Sequence, residues 1–223
     1  MEFRFKYLSA FALISCLLLS GCFRKKELGN EIRTALIEKF KSIDPAHGQD
    51  HYSNILIRRA YEGLIQYNYL KRPYVLEPLL AEAMPEVSND GLVYTFKIKK
   101  GVFFHDDPAF KSSAGKGREL EAGDFVYSFK RLADPKEVSD GWWVFDGKIK
   151  GLNEWRDEAS KISAEAIQNH YSKPIDGLKA VDKYTLRIQL VKKDPRILHV
   201  LAMPYTCVVA HEAVENYGKE FRI

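Results

Sequence analysis

The sequence predicts a mixed α/β (α+β) chain, and three observations lead there. Val93, Thr95 and Lys97 alternate with Tyr94, Phe96 and Ile98, the period of a strand with one buried face. Phe125, Phe129 and Leu132 recur at i, i+4 and i+7, the period of an amphipathic helix. The stretch GLKAVDKYTLRIQLV reads as a hairpin turning at Asp182-Lys183, with Tyr184, Leu186, Ile188 and Leu190 on one face. Strands and helices interleaved in this way favour mixed layers over an all-helical or all-strand fold. Hydrophobic residues make up 46% of the 223 and aromatics 13%, enough for a packed core. The formal net charge of +4 is small, and the one compact basic cluster, Arg24-Lys25-Lys26, lies near the N-terminus. Nucleic-acid binding has no support in that pattern.

The front end comes first in chain order. Arg4 and Lys6 precede an apolar stretch from Leu8 to Leu19, interrupted only by Ser9 and Ser15. Such a stretch reaches only about 18 Å as a helix at ~1.5 Å per residue, short of the ~30 Å hydrocarbon core. A basic start, a short apolar region and small residues at its end predict a signal peptide over residues 1–21. Leu19-Ser20-Gly21-Cys22 resembles the bacterial lipobox, which implies cleavage before Cys22 and a lipid on its thiol. An ordinary signal peptide with a chance cysteine is the alternative. Residues 22–30 then read as a lipidated tether whose basic cluster rests on anionic headgroups. Of the three cysteines, Cys16 leaves with the signal and Cys22 is acylated. Cys207, alone in the apolar stretch YTCVVA, is expected to be a buried, unreactive thiol outside any disulfide framework.

Ile32, Leu36, Ile37 and Phe40 are spaced for a helix ending at the breaker Asp44-Pro45. The run from His51 is helical through Ala60 and stops by Gly63. Asn89-Asp90-Gly91 turns the chain into the strand at 93–98, and a charged, glycine-containing loop comes next. In the helix of Phe125, Asp124 in the first turn and Lys130 and Arg131 near the end complement the dipole. Residues 154–171 are expected to be helical and partly exposed. After the hairpin, Arg196 to Met203 should be a helix, YTCVVA a strand and HEAVENYG the start of another helix.

Five pieces, SIDPA, RRAYEGL, LAEAMPEVSNDGLVYTFKIKKGVFFHDD, DFVYSFKRLADP and GLKAVDKYTLRIQL, occur in this order. Together they resemble the bacterial extracellular solute-binding proteins of family 5, the oligopeptide, dipeptide and nickel receptors of ABC importers, and above all the oligopeptide-binding lipoproteins. The resemblance runs from about Ile32 to the C-terminus. It implies a first lobe of the type II periplasmic-binding-protein kind. Residues 31–60 would open the large lobe, 61–203 form its outer subdomain and 204–223 return to the large lobe. It also implies a strand, rather than a helix, over Ile32–Leu36. Two departures stand out. The family's Phe-His-Asp-Gly is here Phe104-His105-Asp106-Asp107, with a longer loop to Asp124. The family also continues into a second lobe past the point where these 223 residues end, so this stretch reads as a truncated first lobe.

Nothing in the sequence makes a persuasive catalytic or metal constellation, and the expectation is neither enzyme nor cofactor. His47 and His51 flank Asp50, but Pro45 and Gly48 make that segment a loop and no third ligand is spaced to join them. His105-Asp106-Asp107 falls, by the resemblance, at a strand end with a solvated turn. SAGKGRE lacks phosphate-loop spacing, and no Ser or Thr follows Lys116. Trp142, Trp143 and Trp155 are expected to serve core or subdomain contacts.

In the family, the segment after the Asp-Pro lies along the ligand cleft. That places Gly48, Gln49, Asp50, His51 and Tyr52 against an extended peptide, with Gln49 and His51 the leading side chains. Buried peptide N–H and C=O groups need partners, and pairing by the protein main chain supplies them whatever the peptide sequence. Tyr61, Glu62 and Gly63 are expected to hold the wall. The function implied is a lipid-anchored receptor that delivers peptides to an ABC permease at the cell envelope, on either periplasmic face or on the outer face of a Gram-positive membrane. The alternative is a split or truncated product, poorly soluble and weak in binding alone, or working with a second chain that supplies the other lobe.

Overall fold

A computed structural model describes residue 35 and residues 37–222 of the chain. The signal and tether over 1–30, Cys22 and all of the expected strand over Ile32–Leu36 except residue 35 lie outside the described residues. The chain divides after Ile37, and a compact unit begins at Glu38. Residues 37–44 hold bends and no helix. Among the described residues, no helix is long and apolar enough to cross a membrane.

Asp44 opens a 3-10 turn over Pro45–His47, its carboxylate accepting from Ala46 N–H. Helix α1, His51–Ala60, comes next, with Asp50 as N-cap and Ile57 fully buried. Strands β1 (Ile65–Tyr67) and β2 (Leu76–Pro78) pair antiparallel, Ile65 opposite Pro78. The main sheet begins with β3, Glu86–Val87, and β4, Val93–Lys97. Gly91, at φ +68°, occupies the left-handed position in the turn between them. Helix α2, Ala122–Ala133, starts in a capping box made by Glu121 and Asp124. Helices α3 (Leu152–Ser160) and α4 (Ile167–Tyr171) lead to the hairpin of β5 (Leu178–Asp182) and β6 (Thr185–Gln189). The short α5, Ile197–Val200, and α6, His211–Tyr217, complete the order.

The four-stranded sheet is antiparallel in the order β3-β4-β6-β5. Tyr94 sits opposite Ile188 and Phe96 opposite Leu186, so the alternating apolar residues share one face. That face packs on α2, where Phe125, Phe129 and Leu132 are buried as their spacing predicts. Phe129 and Phe145 meet at 4.7 Å between ring centroids. Each such aromatic carries a large apolar area out of water, and together they form the centre of the core.

Three expectations need correction. YTCVVA is no strand: a 3-10 turn over Pro204–Thr206 is followed by extended chain. There Val208 N–H donates to the Glu62 carbonyl (2.9 Å) and Val209 N–H to Ser128 Oγ (3.0 Å). Strand-like residues without a neighbouring strand edge make no ladder. The helix over 196–203 shrinks to α5, because the chain turns at Met203 ahead of Pro204. Residues 154–171 form two helices, broken at 161–166. Asp124 stands in the first turn of α2 and Lys130 and Arg131 in its last, as expected, although all three are buried.

Candidate functional site

Two features of the unit could meet a ligand. The first is the Gly48–Tyr52 segment at the N-terminus of α1. Gly48 is packed so tightly that a Cβ there would come within 2.1 Å of Ile57 Cδ1. Asp50 is committed to capping, accepting from the Ser53 N–H at 2.9 Å and from the Lys41 N–H at 3.3 Å. Burial would raise its carboxyl, but the Ser53 bonds hold it below the ordinary carboxylate range. Gln49 and His51 are exposed, and the His51 ring meets Tyr52 edge-on at 5.4 Å. Among the described residues, no hydrogen bond takes the carbonyls of Gly48 and Gln49, and Asp50 itself is extended.

The second is an open cleft of about 710 Å³ at the other end of α1. Its walls include Leu80, Leu120 and the extended Val208–Ala210, with Phe103, Phe104 and Phe221 bringing aromatic surface. Phe103 is 63% exposed. Asp107 ties one wall to α6 by accepting from the Tyr217 hydroxyl at 3.0 Å. A ten-residue helix is about 15 Å long at ~1.5 Å per residue, so the cleft and the Gly48–Tyr52 segment are separate places. Tyr61 and Glu62 line this cleft, and Gly63 is not part of its lining. Sequence reasoning did not foresee the cleft, because its lining comes from runs far apart in the chain.

Asp44, His47 and Glu137 come within 4.8 Å of one another, a spacing open to a metal ion. The donors are otherwise engaged. Arg131 holds both Asp44 carboxylate oxygens at 2.9 and 2.8 Å and reaches Glu137 Oε2 at 3.2 Å. Arg222 also donates to Glu137 Oε2, at 3.1 Å. Two guanidiniums thus supply the positive charge that a cation would bring. Burial would raise the Asp44 carboxyl, but bonds from His47 and Arg131 hold it far below the carboxylate range. His51 is exposed and is not part of this cluster.

The remaining polar clusters have structural partners. Asp106 accepts from Lys116 Nζ and Gly117 N–H in an exposed turn. Lys130 Nζ donates to the carbonyls of Tyr171 and Lys173, and burial pulls its ammonium down to about 8. Cys207 is buried, which pushes its thiol up to about 12. Trp155 is buried against His170 at 4.7 Å and Trp142 is half-buried, whereas Trp143 is 55% exposed.

Comparison with known proteins gives this geometry its context. The glutathione-binding protein GsiB of Escherichia coli O1:K1 is 27% identical over 96% of this chain and 33% of its own length. The heme-binding protein A of Haemophilus influenzae is 29% identical over 74% of this chain and 26% of its own. The chain therefore spans about a third of the curated relatives it matches. Among solved structures, the pheromone receptor PrgZ superposes with a TM-score of 0.62 at 29% identity, covering 82% of this chain and 31% of that one. Listeria monocytogenes OppA bound to peptide gives 0.61 at 25% identity, covering 85% and 32%. The fold is thus the periplasmic-binding-protein kind, as the resemblance implied. The model of the middle part of the bacterial extracellular solute-binding proteins, family 5, matches residues 75–222, and the chain belongs to that family.

Proposed function

We propose that this chain forms a wall of a peptide receptor that is lipid-anchored through Cys22 and hands peptides to an ABC permease. In this reading residues 1–21 are a signal peptide and 22–30 a tether. Residues 31–60 and 204–223 belong to the large lobe, and 61–203 form the outer subdomain. Gly48 to Tyr52 meet the ligand, with Gln49 and His51 as side-chain contacts.

One observation carries the choice of ligand: the carbonyls of Gly48 and Gln49, without a donor among the described residues, stand next to an extended Asp50. A carbonyl without an internal donor needs one when a ligand covers it, and peptide N–H groups provide donors at strand spacing. The relatives' names span glutathione and heme, while two superposing structures concern peptide binding. Glutathione is itself a tripeptide, and heme offers no comparable run of N–H groups.

Titrating the full chain with tetraalanine while following amide resonances tests the proposal. The peptide meets one wall here, so a dissociation constant near ~1 mM, about 4 kcal/mol, is expected. Shifts should concentrate at Gly48–Tyr52. Shifts confined to the Phe103 cleft, or none at all, would reject it.

A further inference from the structure

His47 immediately precedes the Gly48–Tyr52 segment, and each of its ring nitrogens faces an acceptor. Nδ1 lies 3.0 Å from Asp44 Oδ2, and Nε2 lies 2.9 Å from the backbone carbonyl oxygen of Glu137. A peptide carbonyl can only accept a hydrogen bond, and so can an ionised carboxylate. Asp44 is ionised, since the Arg131 guanidinium grips both of its oxygens. Neutral imidazole has one N–H. It could satisfy one of these acceptors and would turn a bare lone pair on the other.

We infer that His47 stands as an imidazolium in the folded protein and is a positioning residue, fixing the start of the Gly48–Tyr52 segment to the loop at Glu137 through two N–H donors. Its charge state follows from the two acceptors alone. The positioning role rests on reading Gly48–Tyr52 as the ligand-facing segment.

The charged groups around the ring come from four places. Asp44 comes from its own turn and Arg131 from α2. Glu137 comes from the following loop, with Oε2 3.9 Å from Nε2, and Arg222 from the C-terminal turn, bonded to Glu137. Two carboxylates and two guanidiniums nearly cancel, so the directed acceptors decide the state. Burial would lower the imidazole and Arg222 opposes its charge. The Asp44 bond and the Glu137 carbonyl outweigh both and raise it above its ordinary value. A raised folded-state value means the stabilisation is complete below about 6.5 and is lost as pH rises through the folded value.

The link to the segment is covalent and hydrogen-bonded: Gln49 N–H donates to the His47 carbonyl at 3.1 Å. Ser139 Oγ and Asp140 N–H also hold the turn, both on the Ala46 carbonyl, but neither titrates near neutrality. Among the described residues that hold this turn, His47 is the one that titrates near neutrality.

Nitrogen-15 spectra of the full chain with labelled histidine give the direct test. At pH 6.5 both His47 nitrogens should show protonated shifts, with a midpoint above that pH. Amide exchange at Gln49 and Asp50, corrected for base catalysis, should quicken by about threefold or more above the midpoint. His47→Gln should erase that step, and the unsubstituted titration decides the matter if this variant fails to fold. A neutral-tautomer pattern at pH 6.5, or exchange at 49–50 that shows no step, would overturn the inference. Tetraalanine is added only afterwards. Protonated nitrogens with no peptide shifts at 48–52 would uphold the charge state and reject the peptide reading.

Discussion

The two ends of helix α2 are each fastened by an arginine gripping an aspartate with both arms, yet the settings differ. At the N-terminal end Arg118 holds Asp124 at 2.9 and 2.6 Å and also reaches Glu212 at 2.5 Å. There the arginine side chain is 27% exposed. At the C-terminal end Arg131 holds Asp44 at 2.9 and 2.8 Å, and the two side chains are 4% and 0% exposed. Although Asp124 is itself only 5% exposed, water can reach the arginine and Glu212 at the first end. At the second it cannot, so the same fork-to-fork chemistry becomes an obligation.

The largest effect should follow from removing the buried arginine. Arg131→Met leaves Asp44 charged in a dry site, and chemical denaturation should show a loss of about 3–5 kcal/mol. Replacing Asp44 as well should restore part of it, because no fully buried carboxylate is then stranded. Arg118→Met at the wetter end should cost about 2 kcal/mol, and added salt should shrink that figure while leaving the Arg131 loss unchanged. Equal losses at the two ends would break the comparison.

Acid separates the ends in a second way. Burial would raise the Glu212 carboxyl, but the Arg118 bond keeps it below its ordinary value, and Asp44 is held much further below its own. Both contribute stability that is present above the unfolded values and disappears as pH falls through the folded ones. The Arg118→Met loss should therefore fade first on acidification below about 4.3, with the Arg131→Met loss persisting to lower pH. Denaturation midpoints measured at stepped pH check the order.

Legibility in the sequence divides along the same lines. Strand β4, helix α2 and the β5–β6 hairpin were legible because one-sided burial writes a period of two or of 3.6 into neighbouring residues. The family was legible from five ordered pieces. Asp44 and Arg131 were not, since they meet across 87 positions and no local period links them. One local sign went unread: Asp124, Ser128 and Arg131 recur at i, i+4 and i+7, a polar stripe beside the apolar one, and all three are buried. YTCVVA misled because β-branched residues mark extended chain, and a ladder needs a partner that propensity does not supply. Of the candidate site, the Gly48–Tyr52 segment came from resemblance alone, and the cleft came only with the fold.

Ser128 stands between the two clamps and gives a smaller test. Its hydroxyl donates to the Asp124 carbonyl at 2.7 Å and accepts from the buried Val209 N–H. Ser128→Ala leaves that N–H unpaired and should cost about 1 kcal/mol. A larger loss would mean the middle of α2, not its C-terminal clamp, holds the extended Val208–Ala210 run.

The smallest effect belongs to a pair with the same formal chemistry and no burial to enforce it. Lys116 Nζ lies 2.7 Å from Asp106, with side chains 77% and 59% exposed. The hydrogen bond it donates to Asp106 raises the Lys116 ammonium above its ordinary value, yet both groups remain in water. Each loses little solvation in pairing, and each finds water again when the partner goes. Lys116→Ala should therefore leave the denaturation midpoint unchanged within error at any salt concentration. A measurable, salt-insensitive loss there would mean that distance and charge set the strength of these clamps, and the contrast between the two ends of α2 would need another cause.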